Sequence, residues 1–523
     1  MLEICIRGGE LLDGSGAPAI RGDVGVAGGR IVAMGDLREI PAARTIDAAG
    51  MTVCPGFLDL HRHADGAILR PDFGAADLLQ GVTTVGNGNC GMSAAPRFGP
   101  YAADIVAYLA PVTGRVEDVP GESLTAYRSA LQSRGAAIHS LMLCGSGSVR
   151  ACVAGFRPEL TEEELRAAQR LLERTLAEGA GGVSLGLGYA PDCFYDTDGL
   201  IRLLAPLRGS GTVLSVHMRE EAMRLLPSID EMLTVARALR VPLQISHLKA
   251  TGKENWGRLA PLALEKLSRA REEGIDVMCD VYPYTAGSTQ LMHILPPEYL
   301  RGGTTVLTER LRDGAVRRTL LDRLRRGEDF DNYARLAGWE NIRIASVRNR
   351  EDARFTGMSI ARAAGEGDPA VFALDLLARN GCDVTMIDFI TCEEDIAAIL
   401  KSPLSYVISD ATYPTGGRLH PRISAAFTTV IEEYVMGRRD LTLPEAVRKM
   451  TRLSADRYGL KTKGRLEVGA DADILVFDPA GIHARATYDQ PLLPSEGMAF
   501  VLVDGAVAVE NGVPTGVRAG RLL

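Results

Sequence analysis

Short apolar runs alternate with stretches of helical periodicity along the central part of the chain. Eight runs have the length and composition of buried strands and end in polar loops: Val53–Leu60, Val82–Gly88, Ala137–Cys144, Gly182–Leu187, Val213–Met218, Leu243–Leu248, Asp276–Val281 and Tyr406–Ser409. Between them, Thr161–Glu178 has helical spacing, and Thr161 followed by three glutamates suits a capped helix start. This alternation predicts an α/β fold, a (β/α)8 TIM-like barrel. A doubly wound open sheet is the alternative, but no Gly-x-Gly-x-x-Gly follows the first strand.

The two ends of the chain differ from the centre, because they read as short strands joined by glycine-rich turns. The predicted strands are Leu2–Arg7, Asp23–Ala27, Arg30–Met34, Asp473–Phe477 and Phe500–Gly505. We expect residues 1–52 and 465–523 to form one small β-sandwich domain, with the barrel at 53–464 between them. The Arg-rich segment at about 289–345, helical around Thr308–Arg326, is predicted to be an insertion near the catalytic face.

Composition and charge exclude several classes of protein. The 523 residues are 46% hydrophobic and 24% charged, which is ordinary globular usage, and the net charge of -8 gives no reason to expect nucleic acid or membrane as a partner. The nine cysteines are scattered without a Cys-x-x-Cys pair, as expected for reduced thiols. No cationic, apolar leader and no run long enough to cross a bilayer is visible. These features predict a cytoplasmic protein.

Metal-binding residue types stand at the ends of the predicted strands. They are His61, His63, Cys90, His217, His247 and Asp410. Side chains two residues apart on a strand point the same way, so the two histidines of His-Arg-His converge. All strands of a parallel barrel end at one rim, where catalysis sits. Imidazole, thiolate and carboxylate together indicate zinc.

Each residue also has a structural interpretation. The histidine pair at 61 and 63 can be a polar rim pair, Cys90 a small buried residue, and Asp410 a partner in a salt bridge. Of the remaining histidines, those at positions 139 and 483 read as structural, while those at 293 and 420 are expected near the site.

Several motifs resemble the amidohydrolase superfamily and, within it, the N-acyl-D-amino-acid deacylases (D-aminoacylases). They are Pro-Gly-Phe-Leu-Asp-Leu-His-Arg-His at 55–63, Gln-Gly-Val-Thr-Thr-Val at 80–85, Gly-Asn-Cys-Gly at 88–91, Ser-His-Leu-Lys at 246–249, Tyr-Pro-Tyr-Thr-Ala-Gly-Ser at 282–288, His-Pro-Arg at 420–422 and Gly-Ala-Asp-Ala-Asp at 469–473. The resemblance runs nearly end to end. The chain departs from it at Arg62, where many relatives carry a small residue, and at Ala411, where this branch commonly has glycine.

The resemblance implies two metal positions and a carboxylate clamp. Cys90, His217 and His247 would form the tighter zinc site, and a second, weaker or vacant position would use His61, His63 and Asp410. The substrate carboxylate would be held by Lys249, Tyr282, Ser288 and Arg422. We predict that Asp410 takes a proton from the attacking water and passes it to the departing nitrogen.

The implied activity is hydrolysis of the amide bond of N-acyl-D-amino acids, small molecules that this family takes as substrates. A cyclic amide hydrolase of hydantoinase or dihydroorotase type and a D-residue dipeptidase are the enzymatic alternatives. A barrel that has lost catalysis and serves as a scaffold is the third interpretation. A homo-oligomer is compatible with the sequence but is not predicted by it.

Overall fold

A computed structural model describes residues 1–327 and 329–523. Its strands are β1 (Leu2–Leu11), β2 (Ile20–Ala27), β3 (Arg30–Gly35), β4 (Ala42–Asp47), β5 (Thr52–Pro55), β6 (Phe57–Asp59), β7 (Val82–Asn87), β8 (His139–Met142), β9 (Cys144–Gly145), β10 (Val183–Gly186), β11 (Leu214–His217), β12 (Leu243–Ile245), β13 (Val277–Val281), β14 (Ala286–Gln290), β15 (Ile342–Val347), β16 (Val384–Phe389), β17 (Ser405–Val407), β18 (Ile474–Phe477), β19 (Met498–Val503), β20 (Ala506–Glu510) and β21 (Val513–Pro514).

The α-helices are α1 (Ala75–Leu79), α2 (Ala102–Thr113), α3 (Leu124–Arg134), α4 (Ser146–Ala154), α5 (Glu162–Ala177), α6 (Thr197–Leu203), α7 (Leu225–Leu239), α8 (Leu259–Glu272), α9 (Gly303–Arg310), α10 (Gly314–Arg326), α11 (Tyr333–Leu336), α12 (Ile360–Ala364), α13 (Pro369–Arg379), α14 (Glu393–Lys401), α15 (Arg422–Thr429), α16 (Leu443–Met450) and α17 (Arg452–Arg457). A π-helix, Val430–Gly437, continues α15. Helix α5 carries the expected capping box between Thr161 and Glu164. No described helix combines the length and apolarity needed to cross a membrane.

The predicted barrel is confirmed. Strands β6, β7 and β8 pair in parallel, and β9, β10, β11, β12, β13 and β17 form a second parallel series. The backbone N–H of Asp410, just after β17, bonds to the carbonyl of His61 at 2.9 Å, which joins the last strand to the first. The ends of the strands therefore meet at one rim.

The first predicted strand, Val53–Leu60, is two strands that belong to different sheets. The N–H of Gly56 bonds to Asp473 in the terminal sheet, whereas the N–H of Phe57 bonds to Gly81 in the barrel. A Cβ at Gly56 would lie 2.2 Å from the Thr83 hydroxyl oxygen, so only glycine fits where the chain crosses. Hydrophobic content alone could not reveal this break.

Both ends of the chain contribute to a nine-stranded sheet ordered β21-β20-β19-β18-β5-β1-β2-β3, with β4 pairing β1. Strand β1 changes partner along its length: Leu2–Arg7 pairs with β4, and Glu10 and Leu11 pair with β5. The pairing of β1 with β2 shifts register between Ile6 and Gly9. A bulge of this kind bends a strand, so that its two halves can pair with different neighbours. The domain boundaries at 52 and 464 stay predictions.

Between β13 and β17 the chain builds an antiparallel sheet ordered β14-β16-β15, together with α9 to α13. The central strand, β16, lies beyond the predicted insertion at 289–345. The segment Thr308–Arg326 is helical as expected, with one interruption. Helix α9 ends at Arg310, and Asp313 caps α10 by accepting the N–H groups of Ala315 and Val316 at 2.8 and 3.0 Å.

Candidate metal centre and substrate chamber

Four of the predicted ligands converge at the rim of the barrel. The Cys90 sulfur lies 3.3 Å from His61 Nε2 and 3.6 Å from His247 Nε2, and His217 Nδ1 lies 2.9 Å from His247 Nε2. All four side chains are buried. Residues that are more than a hundred positions apart in sequence thus present their donor atoms to a common point.

The other two predicted ligands join the same cluster. Asp410 Oδ1 lies 3.3 Å from His63 Nε2 and 3.6 Å from His61 Nε2. The donor atoms of His61, His63 and Asp410 lie within 4.8 Å of one another, as do those of His61, Cys90 and His247. Because His61 belongs to both groups, the two positions implied by the family resemblance are adjacent. The use of these residues as metal ligands stays a prediction.

Three residues of this cluster adopt left-handed backbone conformations. Their φ angles are 54° for Cys90, 36° for His247 and 53° for Asp410. Such conformations are uncommon for non-glycine residues and cost of order 1–3 kcal/mol each. They turn the side chains inward where the strands break into loops, and strain of this kind concentrates at functional sites.

The electrostatics of the cluster favour an ionised sulfur. Burial raises the pKa of the Cys90 thiol, but the imidazoles of His61, His217 and His247 outweigh it and hold this pKa well below its usual range. Nδ1 of His61 and Nδ1 of His63 have no hydrogen-bond partner among the described residues. A thiolate, several imidazoles and a carboxylate packed this closely provide the donor set of a zinc ion.

The predicted carboxylate clamp lies beside the cluster. Arg422 is fully buried, and its guanidinium lies 3.0 Å from Asp410 Oδ2, donates to the Ser288 carbonyl at 3.1 Å and covers the ring of Tyr282 at 4.9 Å. Its Nε–H has no hydrogen-bond partner among the described residues. The guanidinium therefore retains an unused donor in a buried position.

Lys249 is held by an acid that the sequence analysis did not single out. Its ammonium donates to Glu221 Oε1 at 2.8 Å, and Glu221 also lies 3.2 Å from Nδ1 of His247. Burial raises the pKa of Glu221, but Lys249 and the neighbouring histidines reverse the effect and lower it. Glu221 thus links the predicted clamp to the predicted metal ligands.

The four other histidines separate as expected. His420 accepts the N–H of Arg422 at 3.1 Å and donates to the Ala286 carbonyl at 3.0 Å, so it fixes the start of α15. His293 packs against Tyr189 beside the cluster, with ring centres 4.4 Å apart and ring planes tilted by 60°. His139 pairs with Asp473 away from the rim, and His483 pairs with Glu432 at the surface.

A buried chamber lies beside the cluster and three residues of the predicted clamp, and Arg422 lies behind its wall, against Asp410 and Tyr282. Its walls include the predicted residues His63, Cys90, His217, His247, Lys249, Tyr282, Ser288 and Asp410, together with the unpredicted Tyr189, Glu221, Tyr333 and Asp388. A cavity of about 260 Å³ adjoins it and shares Tyr189, His217, Glu221 and Tyr333 with it. A small molecule can therefore reach the cluster with one end and extend into the cavity with the other.

Comparisons with known proteins agree with this geometry. The family model described as "Amidohydrolase family" matches residues 384–509. A D-aminoacylase from Alcaligenes xylosoxydans xylosoxydans is 33% identical over 530 aligned residues, covering 100% of this chain and 97% of the relative. This chain belongs to the D-aminoacylase family. An N-acyl-D-glutamate deacylase from the same organism is 35% identical, with 100% and 96% coverage.

A solved member of the D-aminoacylase family has the same fold. The N-acyl-D-glutamate deacylase from Bordetella bronchiseptica, complexed with zinc and a phosphonate inhibitor that mimics the tetrahedral intermediate, superposes with a TM-score of 0.83 at 32% identity. The alignment covers 100% of this chain and 99% of that one.

The departure from the D-aminoacylase pattern at Arg62 has a structural cause. Arg62 is fully buried, and it donates to Asp59 at 2.7 Å, to Asp77 and to the Tyr413 hydroxyl at 2.8 Å. None of these three partners lines the chamber, so the guanidinium faces away from it. Arg62 therefore neutralises buried acids behind the histidine pair and takes no part in substrate contact. Nothing in the described structure explains why alanine stands at position 411, where this branch commonly has glycine.

Three acids near the site of this member of the D-aminoacylase family were not predicted from the sequence. Asp280 accepts the backbone N–H of His247 at 2.5 Å and lies 3.6 Å from Nδ1 of His61, so it stands directly behind two predicted ligands. Glu221 and Asp388 line the chamber. Asp280 and Asp388 lie in or at the end of apolar strands, the same signal that identified Asp410, and could have been found by it.

Proposed function

We propose that this protein is a zinc-dependent hydrolase of N-acyl-D-amino acids that releases a carboxylate and a free D-amino acid. One observation carries the proposal: Asp410 faces the imidazole cluster with one oxygen and the Arg422 guanidinium with the other. A carboxylate clamp and a metal-type cluster therefore share a single acid, and that acid lines the chamber. The D configuration rests on the named relatives. We also propose a cytoplasmic location and a small-molecule substrate, with no nucleic acid or membrane partner.

The residues that would hold zinc are Cys90, His217 and His247, with His61, His63 and Asp410 for a second or shared position. Bound zinc acts as a Lewis acid and lowers the pKa of water towards roughly 7. Asp280 would help to hold His247 and His61 in place, as carboxylates behind a metal site do for ligating imidazoles.

The clamp would bind the α-carboxylate of the substrate by exchange of partners. Without substrate, the Arg422 guanidinium pairs with Asp410. A substrate carboxylate can take over this guanidinium through parallel hydrogen bonds that include the unused Nε–H. The Tyr282 ring supports the guanidinium plane, Lys249 adds a second positive charge, and the Ser288 side chain lines the same wall. Binding the carboxylate there fixes the acyl group beside the cluster.

Asp410 would carry out the proton transfers. Once Arg422 is engaged by substrate, the Asp410 carboxylate loses the full effect of its nearest cation and becomes more basic. It accepts a proton from the attacking water at one oxygen and delivers it to the nitrogen of the departing amino acid. The acid thus serves as base and then as acid in one turnover.

A release assay tests the proposed function. We expect free amino acid from N-acetyl-D-amino acids, at least about tenfold less from their L enantiomers, and no ring opening of hydantoins, with zinc quantified in the same sample by mass spectrometry. A discrimination of tenfold corresponds to about 1.4 kcal/mol, which one misplaced group in the clamp can supply. Hydrolysis of hydantoins without release from the N-acetyl compounds would reverse the assignment in favour of a cyclic amide hydrolase.

The Cys90→Ala substitution tests the proposed metal ligand. We expect zinc affinity to fall at least tenfold, since even partners behind the ligands are worth about 10–100-fold. The matched control is Cys144→Ala, because Cys144 is a buried thiol on the adjacent β9 whose pKa burial raises to about 12. Zinc content measured by dialysis against a chelator should drop only in the Cys90 variant. Full zinc content and activity after Cys90→Ala would exclude Cys90 as a ligand.

A further inference from the structure

Asp388 is a buried acid with one unpaired carboxylate oxygen. It lies on β16, is 1% exposed, and its Oδ1 has no hydrogen-bond partner among the described residues. No basic side chain of the described chain lies within 4.0 Å of its carboxylate, since no ion pair involves it. Burying an ionised carboxylate in this way is costly, so such groups normally bind a cation or take up a proton.

The fold makes room for this carboxylate. Gly287 on β14 pairs directly with Asp388, and a Cβ at Gly287 would lie 3.1 Å from Asp388 Oδ1. A larger residue at 287 would press against the acid. The glycine therefore leaves the carboxylate free to face the chamber, whose wall both residues form.

The surrounding charges balance the Asp388 carboxylate only in part. Burial raises the pKa of Asp388, and the Lys249 and Arg422 cations lower it only in part, so that it settles at about 7. Both cations belong to the proposed carboxylate clamp. When a substrate carboxylate neutralises them, Asp388 loses their support, and its need for a positive partner grows.

A cavity of about 260 Å³ adjoins the chamber. It has five acids in its lining, Glu220, Glu221, Glu298, Asp329 and Asp331, and two arginines. Both arginines are already engaged, Arg219 by Glu231 and Arg323 by Glu298 and Asp329. The cavity far exceeds the ~10–15 Å³ that one water requires, so it has room for an extended side chain. Most of its acids are paired as well, Glu298 and Asp329 with Arg323 and Glu221 with Lys249. The cavity therefore supplies space next to the chamber, and the unpaired carboxylate oxygen is that of Asp388 in the chamber wall.

We propose that Asp388 determines side-chain specificity and selects N-acyl-D-amino acids whose side chain ends in an amino or guanidino group. The inference rests on the proposed function and specifies its substrate class. With the α-carboxylate on Arg422 and Lys249, the side-chain cation binds the Asp388 carboxylate. A neutral side chain leaves that carboxylate buried and unpaired, and an acidic one adds repulsion. A site built to bind a polar group discriminates strongly against analogues that lack it.

The test compares kcat/KM for N-acetyl-D-lysine, N-acetyl-D-norleucine and N-acetyl-D-glutamate. Norleucine replaces the lysine ammonium with a methyl group at almost the same chain length. We expect the wild-type enzyme to prefer the lysine compound over the norleucine compound at least about 30-fold, and over the glutamate compound by more. In Asp388→Asn, an isosteric change that removes an unpaired buried charge, the lysine to norleucine ratio should fall at least tenfold, with folding checked by thermal denaturation.

The matched control is Asp383→Asn. Asp383 directly precedes β16 and is half-buried, but it does not line the chamber, so the ratio should stay at its wild-type value. Equal or faster hydrolysis of the norleucine compound by the wild-type enzyme would overturn the role of Asp388 while leaving the proposed function intact. A lysine preference that survives Asp388→Asn would also overturn it. Failure to hydrolyse any N-acetyl-D-amino acid would instead reject the proposed function.

Discussion

Replacing Asp410 with asparagine should reduce turnover at least ~100-fold, the usual size of a general acid–base contribution, while the protein stays folded. Asparagine keeps the shape of the side chain and an oxygen for the cluster, but it cannot accept a proton from water at neutral pH. Asp410 is 9% exposed and faces the chamber directly. No other carboxylate lies between the imidazole cluster and Arg422 among the described residues, so none can readily replace it.

The measurement is steady-state release of amino acid from the best N-acetyl-D-amino acid, with zinc content determined on the same preparation. Retained zinc with lost turnover assigns Asp410 to proton transfer. Turnover within threefold of wild type would remove it from that role. Loss of zinc together with turnover would contradict the prediction and show that metal retention is the main task of Asp410.

The pH dependence of the wild-type enzyme follows from the same residue. Burial raises the pKa of Asp410, but Arg422, His63 and the neighbouring imidazoles reverse this and hold it well below its usual range. The carboxylate is the active form, so activity is present above this pKa and is lost as the pH falls through it. The acidic limb of kcat/KM reports this group in the free enzyme, and that of kcat reports it in the substrate complex.

The barrel could be predicted from the sequence because its strands are local features. Each of the eight strands is an apolar run that ends in a polar loop, and the predicted ligands lie at those ends. The chain crossing at Gly56 could not be predicted, because it depends on the packing of Thr83 against a residue that leaves no trace in the hydrophobic pattern. Local periodicity finds elements, but it does not assign them to sheets.

The inserted sheet explains most of what the sequence analysis missed around the site. Strands β14 and β16 pair although about a hundred residues separate them, and such non-local pairing has no local signal. Asp388 comes to the chamber only through this pairing. Glu221 could not be predicted for a different reason. It follows His217 within a charged segment, where an acid is normally exposed to solvent, and only the fold brings Lys249 next to it.

Replacing Arg422 with alanine should raise KM for N-acetyl-D-amino acids at least ~100-fold. Removing one partner of a buried, hydrogen-bonded charge pair costs about 2–5 kcal/mol, and about 2.8 kcal/mol corresponds to a hundredfold change. Arg422→Lys keeps the charge but loses the planar fork, so it should recover only part of the binding. The alanine variant also leaves a cavity, and we expect it to melt at a lower temperature.

A matched control separates substrate binding from stability. Arg150 is a buried arginine whose guanidinium lies 4.2 Å from the centre of the Tyr195 ring and donates to the carbonyls of Arg157 and Pro158. None of these partners lines the chamber. Arg150→Ala should therefore lower the melting temperature without raising KM. An equal effect on KM in both variants would show that Arg422 acts through the fold alone.

The pH profile gives Arg422 a second, independent signature. Arg422 is the nearest cation that lowers the pKa of Asp410, so its removal should raise that pKa. Because Asp410 acts in its ionised form, the acidic limb of kcat/KM should move to higher pH in Arg422→Ala, move less in Arg422→Lys and stay in place in Arg150→Ala. An unshifted limb in Arg422→Ala would mean that the guanidinium does not control the acid that it contacts, and partner exchange between Asp410 and the substrate carboxylate would have to be abandoned.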